Sequence, residues 1–361
     1  MAFDSFYNGY LICALNWGLG HATRCIPIIQ KLLDNGQRVV IASDGSALEL
    51  LRHEFPQLAS YELPSYDVTY SDKPNQLGHL ITQIPKFAIA RYKEHEAMDD
   101  IYLKERIGVI ISDNRYGCWH FNCKNYIVSH QLKPVLTGWQ KLMNIGLEIL
   151  MLSLLNDFDE VWVPDNAAIN LSGKLSSLRT EDKKFIGILS RFESVVPKEN
   201  YKNELLIILS GPEPQRNILE KKVLEQFLRL KNKKCLIVQG ITGEIKETQV
   251  HENCKMITWL DKEYLSDAIN NSKYILCRSG YSSIMDLAVM GKKAILIATP
   301  GQSEQEYLAE KLMKEKKFFS ISQEAFDLEK ALNEVENYSG IYPTLKSSSL
   351  EIIDKIIASR R

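Results

Sequence analysis

Residues Ile275 to Leu312 read ILCRSGYSSIMDLAVMGKKAILIATPGQSEQEYLAEKL. An apolar run stops at a turn of small and polar residues, a helical pattern follows, a second apolar run leads to a Pro-Gly loop, and another helical pattern closes the stretch. This is strand, turn, helix, strand, loop, helix, the alternation of a parallel α/β sheet. The turn holds Arg278, Ser279, Gly280, Tyr281, Ser282 and Ser283. A glycine-centred turn that opens a helix presents backbone N–H groups and the positive end of the helix dipole, which together make a seat for phosphate. Asp286 follows one turn into that helix, and the Thr299–Tyr307 loop carries Glu304 and Gln305. These groups could hold a nucleotide diphosphate by its phosphates, its ribose and its base or sugar. Ser283 and Asp286 also fit the S-x-x-D capping box that would merely start the helix. The two readings are compatible, because a cap occupies one donor and leaves others. Arg278 would add charge-assisted bonds to the phosphates, or pair with a local carboxylate.

The same alternation runs through the whole chain. Tyr10–Leu15 is an apolar strand, Asn16–His21 a glycine-containing loop, Thr23–Asn35 a helix with Gly36 beyond its end, and Arg38–Ser43 the next strand. Short apolar strands recur at 108–112, 126–129, 135–137 and 160–163. The pattern then restarts: a strand at 205–209 ends in Ser210 and Gly211, a helix begins near Gln215, and strands at 234–238 and 275 follow. The fold class is therefore α/β, with two Rossmann-like domains facing across a cleft. The N-terminal domain covers 1–190, the C-terminal domain 203–340, and a polar linker 191–202 joins them. An amphipathic tail helix at about 343–361 crosses back to the N-terminal domain. Ligands of open parallel sheets bind at the carboxyl ends of the strands.

The first loop, Asn16-Trp17-Gly18-Leu19-Gly20-His21, predicts a catalytic role for His21. Imidazole titrates near neutral pH and can take a proton from a hydroxyl. Gly18 and Gly20 let backbone approach a polar acceptor, with Asn16 beside them. Taken by itself the loop fits a plain strand-to-helix turn equally well. It is not a dinucleotide fingerprint, since the third glycine is replaced by Thr23. Asp113 and Arg115 follow one strand end and His130 another, so all three join the acceptor side. Cys118, His120 and Cys123 lack a fourth ligand and the spacing of a structural zinc site. Asp157 and Asp159 precede a strand and read as a solvated helix end. No metal is expected.

The chain has 361 residues, 45% of them apolar and 25% charged, with a net charge of −1. That balance gives no field to draw nucleic acid. Seven scattered cysteines fit a reducing cytoplasm better than a disulfide framework. The N-terminus lacks the basic and apolar regions of a signal peptide. The apolar stretch at 145–155 is too short to span a bilayer. Together with Phe87, Ile89 and Tyr92 it could form a face at the inner membrane surface, although burial in the core is the reading preferred.

With these residues quoted, the chain resembles the GT-B glycosyltransferases, and family 28 among them. The match lies in R-S-G at Arg278–Gly280, a helix-start hydroxyl, an acid six residues after the glycine, Gly291, a strand, and Gln305 nineteen residues after the acid. The resemblance implies that Asp286 binds the ribose hydroxyls, that Gln305 contacts the donor, and that Ser282 and Ser283 line the diphosphate turn. It also implies that Ser210 and Gly211 stand where the family carries a Gly-rich loop, here followed by two prolines, and that His21 is the base. The implied activity is transfer of a sugar from a nucleotide diphosphate donor, a UDP-sugar, to a hydroxyl acceptor, inverting and independent of a metal or other cofactor. The acceptor would be a polysaccharide, a lipid-linked molecule or a small molecule. The alternatives are a sugar-nucleotide epimerase or hydrolase on the same fold, and a non-catalytic sugar-nucleotide-binding subunit.

Overall fold

The computed structural model describes residues 7–66, 83–133, 135, 144–180, 182–193, 200–211, 213–230, 233–241, 243–341 and 350–359. Two units divide the chain: Met1–Ser190 with Lys346–Arg361, and Arg191–Leu345.

In the first unit seven strands form one sheet: β1 (Gly9–Ala14), β2 (Val39–Ser43), β3 (Ala59–Glu62), β4 (Ile107–Asp113), β5 (Lys124–Val128), β6 (Glu160–Val163) and β7 (Lys183–Phe185). Their order is β3-β2-β1-β4-β5-β6-β7, and each neighbouring pair is parallel. β1, β2 and β4 are buried along their whole length. Strands covered on both faces need apolar side chains on both, which is why GYLICA and VVIAS run apolar without alternation. Among the described residues of this unit's main run, four helices are α1 (Leu19–Asp34), α2 (Gly45–Glu54), α3 (Ile84–Glu105) and α4 (Asn144–Leu155). α1 turns Ala22, Cys25, Ile26, Ile29 and Leu32 inward, the 3-4 spacing of a helix packed on one side.

The second unit repeats the plan with β8 (Asn203–Ile208), β9 (Cys235–Val238), β10 (Glu247–His251), β11 (Cys254–Ile257), β12 (Ser272–Cys277), β13 (Ala294–Leu296) and β14 (Phe319–Ser320). The order is β10-β11-β9-β8-β12-β13-β14. All neighbours are parallel except β10, an antiparallel edge strand on β11. Its helices are α5 (Gln215–Phe227), α6 (Lys262–Asn270), α7 (Tyr281–Met290), α8 (Ser303–Lys314) and α9 (Leu328–Glu334). Leu205, Ile207, Leu219, Val223, Leu276, Ile295 and Leu328 form its core. The tail helix α10 (Glu351–Ala358) packs on the first unit. It buries Ile353, Ile356 and Ile357, the Leu350 amide donates to the Ile186 carbonyl at 3.3 Å, and Asp354 lies 2.8 Å from Lys31 Nζ.

Several sequence expectations change. α1 begins at Leu19, so Gly20 and His21 belong to its first turn and not to a loop. The cap of α7 is Gly280, with no side-chain bond, and Ser283 is already inside the helix, so the Ser283–Asp286 capping box does not form. β10 and α3 carry weak patterns, an exposed edge and a mostly exposed helix, and were not expected. α4 is the clearest reversal. Ile145, Ile149, Leu150 and Leu152 are 74%, 63%, 45% and 41% exposed, and Ile89 and Tyr92 on α3 are exposed too. A helix apolar all round cannot bury every side, and only Leu155, with Leu154 and Met151, reaches the core. The strand expected at 135–137 and the middle of the expected linker lie almost wholly outside the described residues. No helix among the described residues is long and apolar enough to cross a membrane.

Candidate active site

In the first sheet the connections run outward in opposite directions from β1 and β4, which makes their carboxyl ends the switch point where open α/β sheets bind ligands. The chain leaves β1 through Gly18, whose φ of 80° and ψ of 171° fall where only glycine sits without strain. α1 then starts at once, and its first turn carries His21 to the end of β4. His21, Arg24 and Cys25 stand at i, i+3 and i+4, so they share one helix face. All three reach Asp113, the last residue of β4.

The geometry is tight. His21 Nδ1 lies 2.6 Å from Asp113 Oδ1 and 2.8 Å from Arg24 Nη2. A carboxylate can only accept and a guanidinium can only donate, so Nδ1 donates to Asp113 in the tautomer that carries its proton there and accepts from Arg24 in the other. Arg24 grips the same carboxylate with two nitrogens, Nε on Oδ2 and Nη2 on Oδ1. Its Nη1 donates to Nδ1 of His130, which follows β5, at 3.1 Å. Arg24 and Asp113 are 2% and 1% exposed, while 13% of the His21 side chain remains open. Burial lowers the His21 pKa, Arg24 lowers it further, and Asp113 opposes them without winning. Burial alone would push the Asp113 carboxyl up, but Arg24 and then His21 outweigh it and hold it below the usual carboxylate range. Burial and the Asp113 charge push the Cys25 thiol far up, which leaves it unreactive. In the tautomer with the proton on Nδ1, Nε2 is left with its lone pair.

The second unit has its switch point between β8 and β12, and the loops after β8, β12 and β13 open at the same sheet edge. Ser210 and Gly211 are exposed after β8. Gly211 has φ of 97°, and a Cβ there would come 3.7 Å from Thr299 Oγ1. Arg278 ties the loops together. It is 1% exposed, and its Nη2 donates to the Gln215 carbonyl at 2.8 Å and its Nη1 to the Ala298 carbonyl at 3.2 Å. Burial brings its pKa down to about 10, still cationic at neutral pH. Ser279 Oγ donates to the Gln305 carbonyl at 2.8 Å, and Gln305 Oε1 accepts from the Thr299 amide at 2.9 Å. The Gln305 side-chain nitrogen bonds Gln302. Gly280, Ser282, Ser283 and Asp286 are half-buried around the start of α7. The first-turn amides of any helix have no intrahelical acceptor, and here they stand at the sheet's switch point.

Residues 206–351 match the glycosyltransferase family 28 C-terminal domain. That stretch takes in most of the C-terminal unit. Solved structures extend the likeness to both units. The kitacinnamycin glycotransferase is 14% identical with a TM-score of 0.69, covering 98% of this chain and 99% of that one. MurG of Acinetobacter baumannii is 12% identical with a TM-score of 0.58, covering 97% and 99%. The spinosyn rhamnosyltransferase SpnG, solved with thymidine diphosphate, is 11% identical with a TM-score of 0.62, covering 97% and 96%. No curated protein matches. The fold is GT-B, and the chain is a glycosyltransferase.

In this glycosyltransferase, His21, Asp113 and His130 come together as one cluster, with Gly18 and Gly20 shaping the turn that delivers His21. Four other residues expected to meet ligand make hydrogen bonds within their own unit. Arg115 is fully buried. It donates to the Ala14 carbonyl at 2.7 Å, to Glu94 at 2.6 Å and to Asp44, so its guanidinium is engaged inside the domain. The Asn16 amide donates to Asp44 at 3.2 Å and accepts from Ser46 and the Ala47 amide, which fixes the start of α2. Arg278 braces loops through backbone carbonyls. Ser279, likewise buried, is a strut between the turn and α8. Arg24 was missed. The signal for it was its position one helical turn after His21, which puts both side chains on one face.

Asp157 pairs with Arg91 at 2.5 Å, and Asp159 accepts from the Asn125 amide and Lys124. Among the described residues no three His, Cys, Asp or Glu side chains are arranged to hold a metal ion. All seven cysteines are free and buried. A groove of about 770 Å³ lies beside β5–β7 and α10, lined by Tyr126, Glu160, Lys184 and Lys355, and contains none of the His21 cluster.

Proposed function

We propose that this glycosyltransferase moves a sugar from a nucleoside diphosphate donor to a hydroxyl acceptor by a single displacement with inversion, with His21 as base. The observation that carries the reading is the bond from His21 Nδ1 to Asp113 at the β1/β4 switch point. In the tautomer with its proton on Nδ1, that bond orients the ring and leaves Nε2 as the proton acceptor. The acceptor oxygen attacks the anomeric carbon as its proton passes to Nε2. The bond from that carbon to the diphosphate oxygen breaks, and the leaving group keeps the electron pair. Asp113 stabilises the imidazolium that forms. Positioned proton transfer of this kind contributes roughly 10²–10⁴ in rate.

On the donor side, the amides of Tyr281–Ser283 and the dipole of α7 take the diphosphate charge, and no metal is needed for that step. Asp286 holds the ribose hydroxyls, and Gln305 with the Ser210–Gly211 loop completes the donor site. The thymidine diphosphate in SpnG supports a nucleoside diphosphate of pyrimidine type, uridine or thymidine. The exposed apolar side chains of α4 support a lipid-linked acceptor met at a membrane surface.

The test incubates the protein with UDP- and TDP-sugars, alone and with a panel of hydroxyl acceptors including lipid-linked ones, in EDTA. Release of nucleoside diphosphate that depends on acceptor and survives EDTA supports the reading. Release or epimerisation without acceptor would establish the hydrolase or epimerase alternative instead.

A further inference from the structure

We infer that Arg24 is a positioning residue: it clamps Asp113 in one orientation against His21 and divides the carboxylate's charge, so that the imidazole waits neutral for a substrate proton. This rests on the reading of His21 as the base. An isolated aspartate 2.6 Å from an imidazole would favour the imidazolium, the wrong form for a base. Here the carboxylate is shared. Both of its oxygens face the Arg24 fork, through Nε and Nη2, inside a site where arginine and aspartate are almost fully buried. The third nitrogen reaches His130 Nδ1 at 3.1 Å, where a guanidinium can only donate.

The groups facing His21 are Asp113 from β4, Arg24 from its own helix and His130 from the loop after β5, with Cys25 on the far side of the carboxylate. Two of these, Arg24 and His130, oppose a charge on His21, as does burial, and only Asp113 favours one. The arrangement therefore differs from a bare His–Asp pair. Asp113 orients the ring, and Arg24 limits how strongly it can charge it. The fork geometry matters as well as the charge. A lysine is a point charge and cannot hold both oxygens in one plane.

Replacing Arg24 by Lys and by Gln separates the two roles, and the experiment reads them by different observables. The first is NMR titration of the His21 imidazole, identified by its loss in His21→Gln, which needs no turnover. In the parent protein the midpoint is expected below the ordinary value of about 6.5. Arg24→Gln should move it up, and each unit of movement leaves tenfold less neutral imidazole at a fixed pH below the midpoint. A parent midpoint at or above 6.5, or an Arg24→Gln midpoint that does not move, would overturn the proposal. The second observable is kcat. Arg24→Lys keeps the charge and loses the clamp, so kcat should fall about ten- to hundredfold with KM little changed and the acid limb in place. An unchanged kcat in that variant would remove the clamping role. If Arg24→Gln does not fold, the parent midpoint and the Arg24→Lys kinetics still decide. If instead His21→Ala keeps full transferase activity, the base assignment fails, and the titration still reports whether Arg24 sets the imidazole's charge.

Discussion

His21 Nδ1 and Asp113 Oδ1 stand 2.6 Å apart, although 92 positions separate the two residues in the chain. The parallel neighbours β1 and β4 bring them together: Asp113 ends β4, and His21 stands in the first turn of the helix that follows β1. Asp113→Asn would keep the shape and remove the charge that orients Nδ1–H. Turnover should then fall by about 10²-fold or more. Stability should drop as well, by about 3–5 kcal/mol, because Arg24 would be left buried without its counter-charge. Steady-state kinetics and urea denaturation of the same variant check both effects.

His21→Ala should lower turnover by roughly 10²–10⁴ while nucleoside diphosphate still binds, since the α7 turn belongs to the other unit. Calorimetric titration with UDP and TDP, alongside the rate, makes the comparison. Unchanged turnover would remove His21 from the chemistry.

The pH dependence follows from the lowered His21 pKa. The base form persists as pH falls through 6.5, so the acid limb of kcat/KM should lie below 6.5. For stability the sign is the same. Between its folded value and the ordinary one, His21 binds fewer protons folded than unfolded. Its contribution is therefore complete above 6.5 and is lost as pH falls through the folded value. Asp113 adds a second loss at more acid pH, because its own folded value lies below the ordinary 3.8. Denaturation midpoints measured from pH 7 down to pH 3 should fall in that order, and a profile that rises towards acid would contradict it.

Arg115→Met should destabilise the N-terminal unit by about 3–5 kcal/mol, because Asp44 and Glu94 would lose their shared buried partner. The folded fraction should keep its KM for both substrates. A specific rise in acceptor KM without loss of stability would return Arg115 to the acceptor side.

Asp286→Ala should weaken donor binding and leave the His21 titration untouched. The measurement is nucleoside diphosphate affinity for parent and variant, and equal affinities would remove Asp286 from the ribose.

Much of this architecture was legible in the residues. Apolar runs ending in small-residue turns, such as YILCRSG and GYLICALNWG, are what parallel strands require, so the central strands of both sheets could be anticipated. His21 and Asp113 stood out because each follows such a run. β10 and α3 escaped because an edge strand and a half-exposed helix need no strong pattern. α4 misled, since an apolar sequence reports what a segment could bury and not whether a neighbour is there to cover it.

The sequence by itself determined the α/β class, the two successive sheets and the strand ends at which chemistry would gather. These follow from local periodicity and turn composition, which act over a few residues. Tertiary structure alone decided the roles of the charged groups. Arg24, Arg115 and Arg278 look alike as letters. Packing put the first on the carboxylate beside His21, the second between two buried acids, and the third on the carbonyls of Gln215 and Ala298. A buried guanidinium must find its partners within hydrogen-bond reach, and those partners come from strands and loops far away in the chain.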